Sequence, residues 1–305
     1  MTPNPSSQMC NSPGKTQSQV TETDIKGPEW EVLTDPSPPT DWPHFLSKPA
    51  KTPKGFENRI SGVLLLERLR EVNALLGFTR VEAPEAADDS GERPPMADLG
   101  AQAAAWVPAG QVHGEGIFIR FDEGALREWE EREAVRARDA KLLAGHKGWR
   151  NARRLVSEDG YPSIRYALLH TVAHLLIREL ALECGYNAAS IRERIYAAPE
   201  AEHPQAGILI YTASADSDGT LGGLVDLGKP ENLGRLLTQA LSRARVCSSD
   251  PLCAEHEPEK DRSLHGASCH ACSFVSETSC EWGNRYIDRT LVVPTLEVAD
   301  AAFFG

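Results

Sequence analysis

Cys253, Cys269, Cys272 and Cys280 stand near the end of the chain at spacings that suit one tetrahedral zinc ion, and Cys247 lies six positions upstream of Cys253. The Cys269/Cys272 pair is a C-x-x-C, which lets two thiolates turn onto one ion from a tight loop. Cys280 can close the site from the next element, and the fifteen residues between Cys253 and Cys269 form the return loop. Disulfides are the alternative. The opening MTPNPSSQMCNSPGK carries no apolar signal-peptide core, so a reducing, cytoplasmic setting is expected, where thiols favour metal. Four thiolates leave no open coordination position, which makes the expected zinc a structural staple. The ligand set stays open, because Cys247 can take the place of Cys253, and His265 and His270 are further candidates.

A second set of groups could do chemistry of another kind. His170 and His174 lie four apart, one turn up the same helix face, a spacing at which two imidazoles can share a metal. Thr171 stands where the zinc proteases of the HExxH type carry their glutamate base, which argues against protease chemistry. Structural or partner-contacting histidines are the favoured reading over a second metal site. With Glu183, Asp216 and Asp218 they also define the metal-dependent nuclease alternative, although no signature fixes these scattered residues together. Arg243, Arg245 and Arg285 form the basic cluster beside the cysteines and are candidate phosphate contacts for DNA. Trp282 could stack on a base in a stand-alone zinc DNA-binding protein. Packing beneath the knuckle is favoured for it, since a zinc knuckle has little else to bury. No GxxxxGK[ST] motif occurs, so an ATP motor would come from another chain, and catalysis by this one is not expected.

These groups need elements to hold them. Residues 1–55 are rich in Pro, Ser, Thr and Lys and lack an apolar period, which predicts an extended leader bearing Trp30, Trp42 and Phe45. The run VLLLERLREVNALLGF sets Leu64, Leu65, Leu69, Val72, Leu75 and Leu76 at helical intervals with Gly77 as a stop, and predicts an amphipathic helix. An acidic loop, EAPEAADDSGERPP, follows. GEGIFIRFDEG predicts a short buried strand, and ALREWEEREAVRARDAKLL a solvated helix with a thin apolar stripe. The segment from Ile164 to Gly185 is apolar nearly all round and predicts the central helix. GILIYTAS predicts a second buried strand, DSDGTLGGLV a glycine-rich turn, and Pro230 the start of a helix that delivers the chain to Cys247. The fold class expected is α/β in the mixed α+β sense: a central apolar helix on a small sheet, with a C-terminal cysteine zinc knuckle. Residues 56–150 would be an N-terminal α/β part and residues 151–305 a zinc-binding domain.

At 305 residues, 41% apolar and 25% charged, the chain has the composition of an ordinary globular protein. No apolar run reaches the ~20 residues that cross a bilayer. The net charge of −12 would repel nucleic acid as a whole-body field, so DNA contact would need a local basic patch, or the acidity would suit docking on a basic partner.

YTASADSDGTLGGLV, then a helix, then CSSDPLC, HGASCHACSFVSETSC and EWGNRYIDR, together resemble the zinc-binding (MZB) domain that follows the motor of MrfA-type helicases. The likeness is closer to the DrmB family of DISARM anti-phage systems, where it also takes in GEGIFIRF and the helix around HTVAH, from about Gly55 to Leu296. It implies a non-motor subunit that binds a DNA helicase and helps form a path for DNA. The family's zinc cysteines fall on Cys253, Cys269, Cys272 and Cys280, with Cys247 as the extra member. DrmB proteins are longer, so the chain looks like the C-terminal part of one with a short replacement leader.

Overall fold

The computed structural model describes residues 22–38, 40–75, 77–78, 97, 106–157, 159–185, 188–199, 203–212, 223–261, 263–296 and 298–305. The acidic loop after Phe78, the DSDGT turn with Asp216 and Asp218, and Cys10 fall outside these residues. Among the described residues no helix is long and apolar enough to cross a membrane.

The structure is mixed α+β, as expected, and is built on one five-stranded sheet. Strands β1 (Phe45–Ala50), β2 (Ile60–Ala74), β3 (Ala109–Phe121), β4 (Ile191–Tyr196) and β5 (Gly207–Thr212) are ordered β1-β2-β3-β5-β4, and every neighbouring pair is antiparallel. Strand alternation sorts the side chains into two cores. Val63, Leu65, Ile117, Ile119, Ile208, Ile210 and Ile195 face one side, while Leu64, Leu66, Phe118, Leu209 and Tyr211 face the other.

On the first side lies helix α4 (Ile164–Cys184), the expected central helix, with sixteen of its 21 residues buried. Its start is capped by Ser163, whose Oγ accepts the Tyr166 N–H, and it stops at Gly185, which takes the left-handed conformation (φ +66°) open to glycine. Each fully buried leucine on such a helix contributes ~2 kcal/mol. Helices α2 (Glu123–Glu130), α3 (Glu133–Ala152), α5 (Gly223–Leu227) and α6 (Pro230–Ala244) pack around it, followed by the short helix α7 (Pro258–Asp261). Arg165, buried near the start of α4, donates to Glu130 at 2.7 Å and to Glu123 at 2.8 Å, which ties α4 to α2.

On the second side lies helix α1 (Glu22–Thr34). Its Trp30 packs edge-on against Phe118, with centroids 5.7 Å apart, and tilted against Tyr196. Lys26 pairs with Glu281 at 2.9 Å, and Glu29 accepts from the Tyr196 hydroxyl at 3.0 Å.

Three expectations are corrected. The run from Val63 to Ala74 lies in the long strand β2 and not in a helix: Val63 to Leu66 are buried on alternate faces of a sheet covered on both sides, and a two-sided strand presents the same unbroken apolar run as a helix; Leu76 lies outside the described residues. The leader is not extended throughout, because residues 22–34 form α1 and residues 45–50 form β1, whose apolar side chains close the second core. The charged helix after β3 is two helices broken at Glu131–Arg132, with Trp129, Leu126, Val135 and Leu142 fully buried along its stripe.

Candidate metal centre

Helix α6 ends at Ala244 and places Cys247 just beyond its last turn; a single 3-10 turn over Pro251–Glu255, capped by Asp250, presents Cys253. The Cys269–Cys272 loop closes on itself, with the N–H groups of Cys272, Ser273 and Phe274 all donating to the Cys269 carbonyl. Four sulfurs meet there. Sγ of Cys247 lies 3.6 Å from Cys269, Cys253 lies 3.6 Å from Cys272, and Cys269 lies 3.7 Å from Cys272. A disulfide would hold sulfurs at about 2.05 Å, and all six described cysteines are free. Thiolates about 2.3 Å from a tetrahedral zinc stand about 3.8 Å apart, so this donor set fits the ion. Cys253 and Cys272 hold one proton between them: the hydrogen bond draws the Cys272 group below its ordinary value and pushes Cys253 above it.

Cys280 is not part of this group. Its Sγ lies 3.1 Å from Nε2 of His170, and with His170, His174 and Glu193 it makes a second cluster whose ligand atoms all lie within 4.8 Å of one another. Only Cys280 of this second cluster comes from the same loop-rich stretch as the four cysteines; His170 and His174 are on α4 and Glu193 on β4. Asn284 separates the two clusters: its side-chain amide is bonded in both directions to Val275 at 2.9 and 3.0 Å, which folds the Cys280 turn back toward α4.

Beneath the cysteines, Asp288 and Arg289 anchor the chain. Asp288 is fully buried, pairs with Arg138 of α3, accepts the N–H groups of Ala267 and Thr290, and through its own N–H donates to Thr171 Oγ1 at 2.9 Å. Arg289 donates to the Ala244 carbonyl at 2.8 Å, at the end of α6. Thr171 therefore serves the packing of the C-terminal segment. Asp288 and Arg138 neutralise each other as a buried pair, whereas Arg289 is held through the Ala244 carbonyl and its buried Nε has no hydrogen-bond partner among the described residues.

The other candidates separate. Arg243 is exposed and pairs with Glu179 of α4 at 3.0 Å, Arg245 is exposed at the end of α6, and Arg285 lies over the Trp149 ring at 5.0 Å. Trp282 packs between Tyr166 and Tyr286, with centroids at 5.8 and 5.4 Å, in keeping with a core role. Glu183 pairs with Arg235 at the surface at 2.8 Å, while His170 and His174 are fully buried, so the scattered nuclease set is not gathered among the described residues. His270 is exposed and packs on Phe274, and His265 stacks on His256. Glu193 was not among the sequence candidates. It lies on β4, a strand with no sequence expectation, in the alternating segment IRERIY, whose inward carboxylate was the available signal.

Residues 172–273 match the family model of the MrfA Zn-binding domain, MZB. Cys247, Cys253, Cys269 and Cys272 all fall inside that match, and Cys280 falls beyond its end. Across 94% of its length the chain is similar to the DISARM protein DrmB of Bacillus paralicheniformis (strain ATCC 9945a / NCIMB 11709 / CD-2), with 37% identity over 290 residues that cover 50% of that relative. The chain thus spans about half the length of the curated relative it matches. The crystal structure of the DUF1998 helicase MrfA bound to DNA aligns over 70% of this chain and 22% of that one, at 9% identity and a TM-score of 0.28, a likeness that carries no argument.

Proposed function

We propose that this chain is a non-catalytic, zinc-stapled subunit of a DISARM-type anti-phage system, which binds a DNA helicase partner and helps contact DNA. The observation that carries the zinc part is the convergence of Cys247, Cys253, Cys269 and Cys272 at tetrahedral spacing within the segment that matches MZB. Similarity to DrmB over nearly the whole chain supports the system. The absence of a nucleotide-binding GxxxxGK[ST] motif in the sequence supports a motor supplied in trans. The four cysteines would hold one zinc ion, which supplies rigidity and no open coordination position. Reduced thiols of this kind suit the cytoplasm. Arg245, Arg243 and Arg285 are the proposed phosphate contacts; Arg243 would exchange Glu179 for phosphate, so affinity would fall with salt.

Zinc content and helicase coupling test this together. Purified full-length protein is expected to carry zinc that Cys272→Ser loses, to co-purify with the co-encoded helicase, and to raise that helicase's DNA-stimulated ATPase. A folded wild-type protein that keeps its metal content unchanged in Cys272→Ser, or that has no effect on the helicase, would overturn the corresponding half of the reading.

A further inference from the structure

We propose that His170, His174, Glu193 and Cys280 form a second structural metal centre for a divalent ion of the zinc class, separate from the four-cysteine site. The donors come from three parts of the fold: the histidines from successive turns of α4, Glu193 from edge strand β4, and Cys280 from the C-terminal segment. Nε2 of His170 lies 2.8 Å and Nε2 of His174 lies 3.3 Å from the same carboxylate oxygen, Oε1 of Glu193. Nε2 of His170 also lies 3.1 Å from Sγ of Cys280. One point is thus faced by two imidazole nitrogens, a carboxylate oxygen and a sulfur, a donor set that zinc accepts.

The hydrogen bonds around the cluster leave it short of a cation. Nδ1 of His174 lies 3.0 Å from the Ser273 carbonyl, which can only accept, so Nδ1 carries the proton. In the neutral ring Nε2 then turns a lone pair toward a carboxylate oxygen. A backbone carbonyl orienting one imidazole nitrogen while the other faces the ion is the usual outer support of a metal-bound histidine. Burial and the Glu193 carboxylate push the Cys280 thiol well up, against the backbone N–H groups of Trp282 and Asn284 that point at its Sγ from 3.3 and 3.2 Å, so the pull to thiolate would have to come from the ion itself. Nδ1 of His170 and Oε2 of Glu193 are buried with no hydrogen-bond partner among the described residues. His170, His174 and Glu193 have fully buried side chains, so bulk water does not neutralise the set. One carboxylate, one thiolate and two neutral imidazoles sum to the charge that a single dication cancels. Binding would release the thiol proton of Cys280 to solvent. The ion would pin the C-terminal segment and the free edge of β4 to the central helix, where the Glu193 N–H already donates to the Ser279 carbonyl at 3.1 Å.

The competing arrangement is a shared proton, with one histidine as imidazolium beside Glu193. Metal stoichiometry of the full-length protein, purified without chelators, separates the two. Two zinc equivalents are expected in the wild type, with Cys280→Ala losing one and Cys272→Ser losing the other. A folded wild type with a single equivalent, lost in Cys272→Ser and kept in Cys280→Ala, would overturn the proposal and leave the four-cysteine reading intact. The opposite pattern would sustain it and sink the four-cysteine reading. Should Cys280→Ala fail to fold, X-ray absorption of the wild-type zinc decides: imidazole scattering alongside sulfur is expected, and a sulfur-only shell would refute the second centre.

Discussion

Eight positions separate Cys272 from Cys280, yet the two thiols serve different clusters. Val275, between them, is bonded in both directions by the Asn284 side chain, and the backbone just beyond Cys280 turns with Asn284 and Tyr286 both at positive φ. Comparable single-residue control appears at His146, fully buried on α3. Its Nε2 donates to the Asp159 carbonyl at 2.9 Å, so Nδ1 accepts from the Tyr286 hydroxyl at 2.7 Å. Burial holds this imidazole below its ordinary value of 6.5. In the window between the lowered folded value and 6.5 the unfolded chain binds more protons. The stabilisation is therefore complete above that window and is lost as pH falls through it. Urea unfolding is expected to show stability declining as pH falls below the ordinary imidazole value of 6.5, with a shallower decline in His146→Gln. Equal slopes in the two proteins would assign the dependence to other groups.

At the scale of elements, α1 is the part whose presence changes the reading most. It covers a sheet face that would otherwise expose Leu64, Leu66, Phe118 and Leu209. Trp30 is its main contact, and Gly207 is what lets it approach: a Cβ there would stand 2.8 Å from both the Trp30 and Phe118 rings. Trp30→Ala is expected to cost about 3 kcal/mol in urea denaturation, the usual scale for deleting a buried aromatic. Gly207→Ala is expected to expose α1 to limited proteolysis ahead of the strands. A Trp30→Ala protein as stable as wild type would mean that α1 does not seal this face. The central helix α4 was readable because a segment apolar on every side, capped by Ser163 and ended by Gly185, has one easy solution, burial in the middle. Strand β2 was not, because its apolar run satisfies a helical and a two-sided strand pattern equally and only the neighbours β1 and β3 choose between them.

For the whole molecule, the larger core of sheet and helices contains none of the four clustered cysteines, whereas the segment from Cys247 to Cys272 has little regular structure of its own. Structural zinc contributes on the order of 10 kcal/mol where a small unit depends on it. Chelation, or Cys272→Ser, is therefore expected to remove hydrogen-exchange protection from residues 247–272 while β3 and β5 keep theirs. Simultaneous loss of protection in β3 and β5 would show that the metal region and the sheet unfold as one unit. The departure of Cys280 to a cluster with α4 and β4 also explains why a five-cysteine pattern left its ligand set open: spacing along the chain limits which thiols can meet, and several choices of four satisfied that limit.

Local order came from the amino-acid sequence alone: the apolar central helix, the strands β3 and β5, the helix that begins at Pro230, and thiol metal chemistry near the C-terminus. Each of these rests on periodicity or spacing over a few residues, where the chain has little freedom. The partition of Cys247 and Cys280 between two clusters, the entry of Glu193 beside His170 and His174, and the placing of α1 over the sheet came from long-range packing. Residues far apart in the chain met there because burial of both sheet faces left one compact arrangement, and no local pattern encodes which distant side chains that arrangement brings within bonding distance.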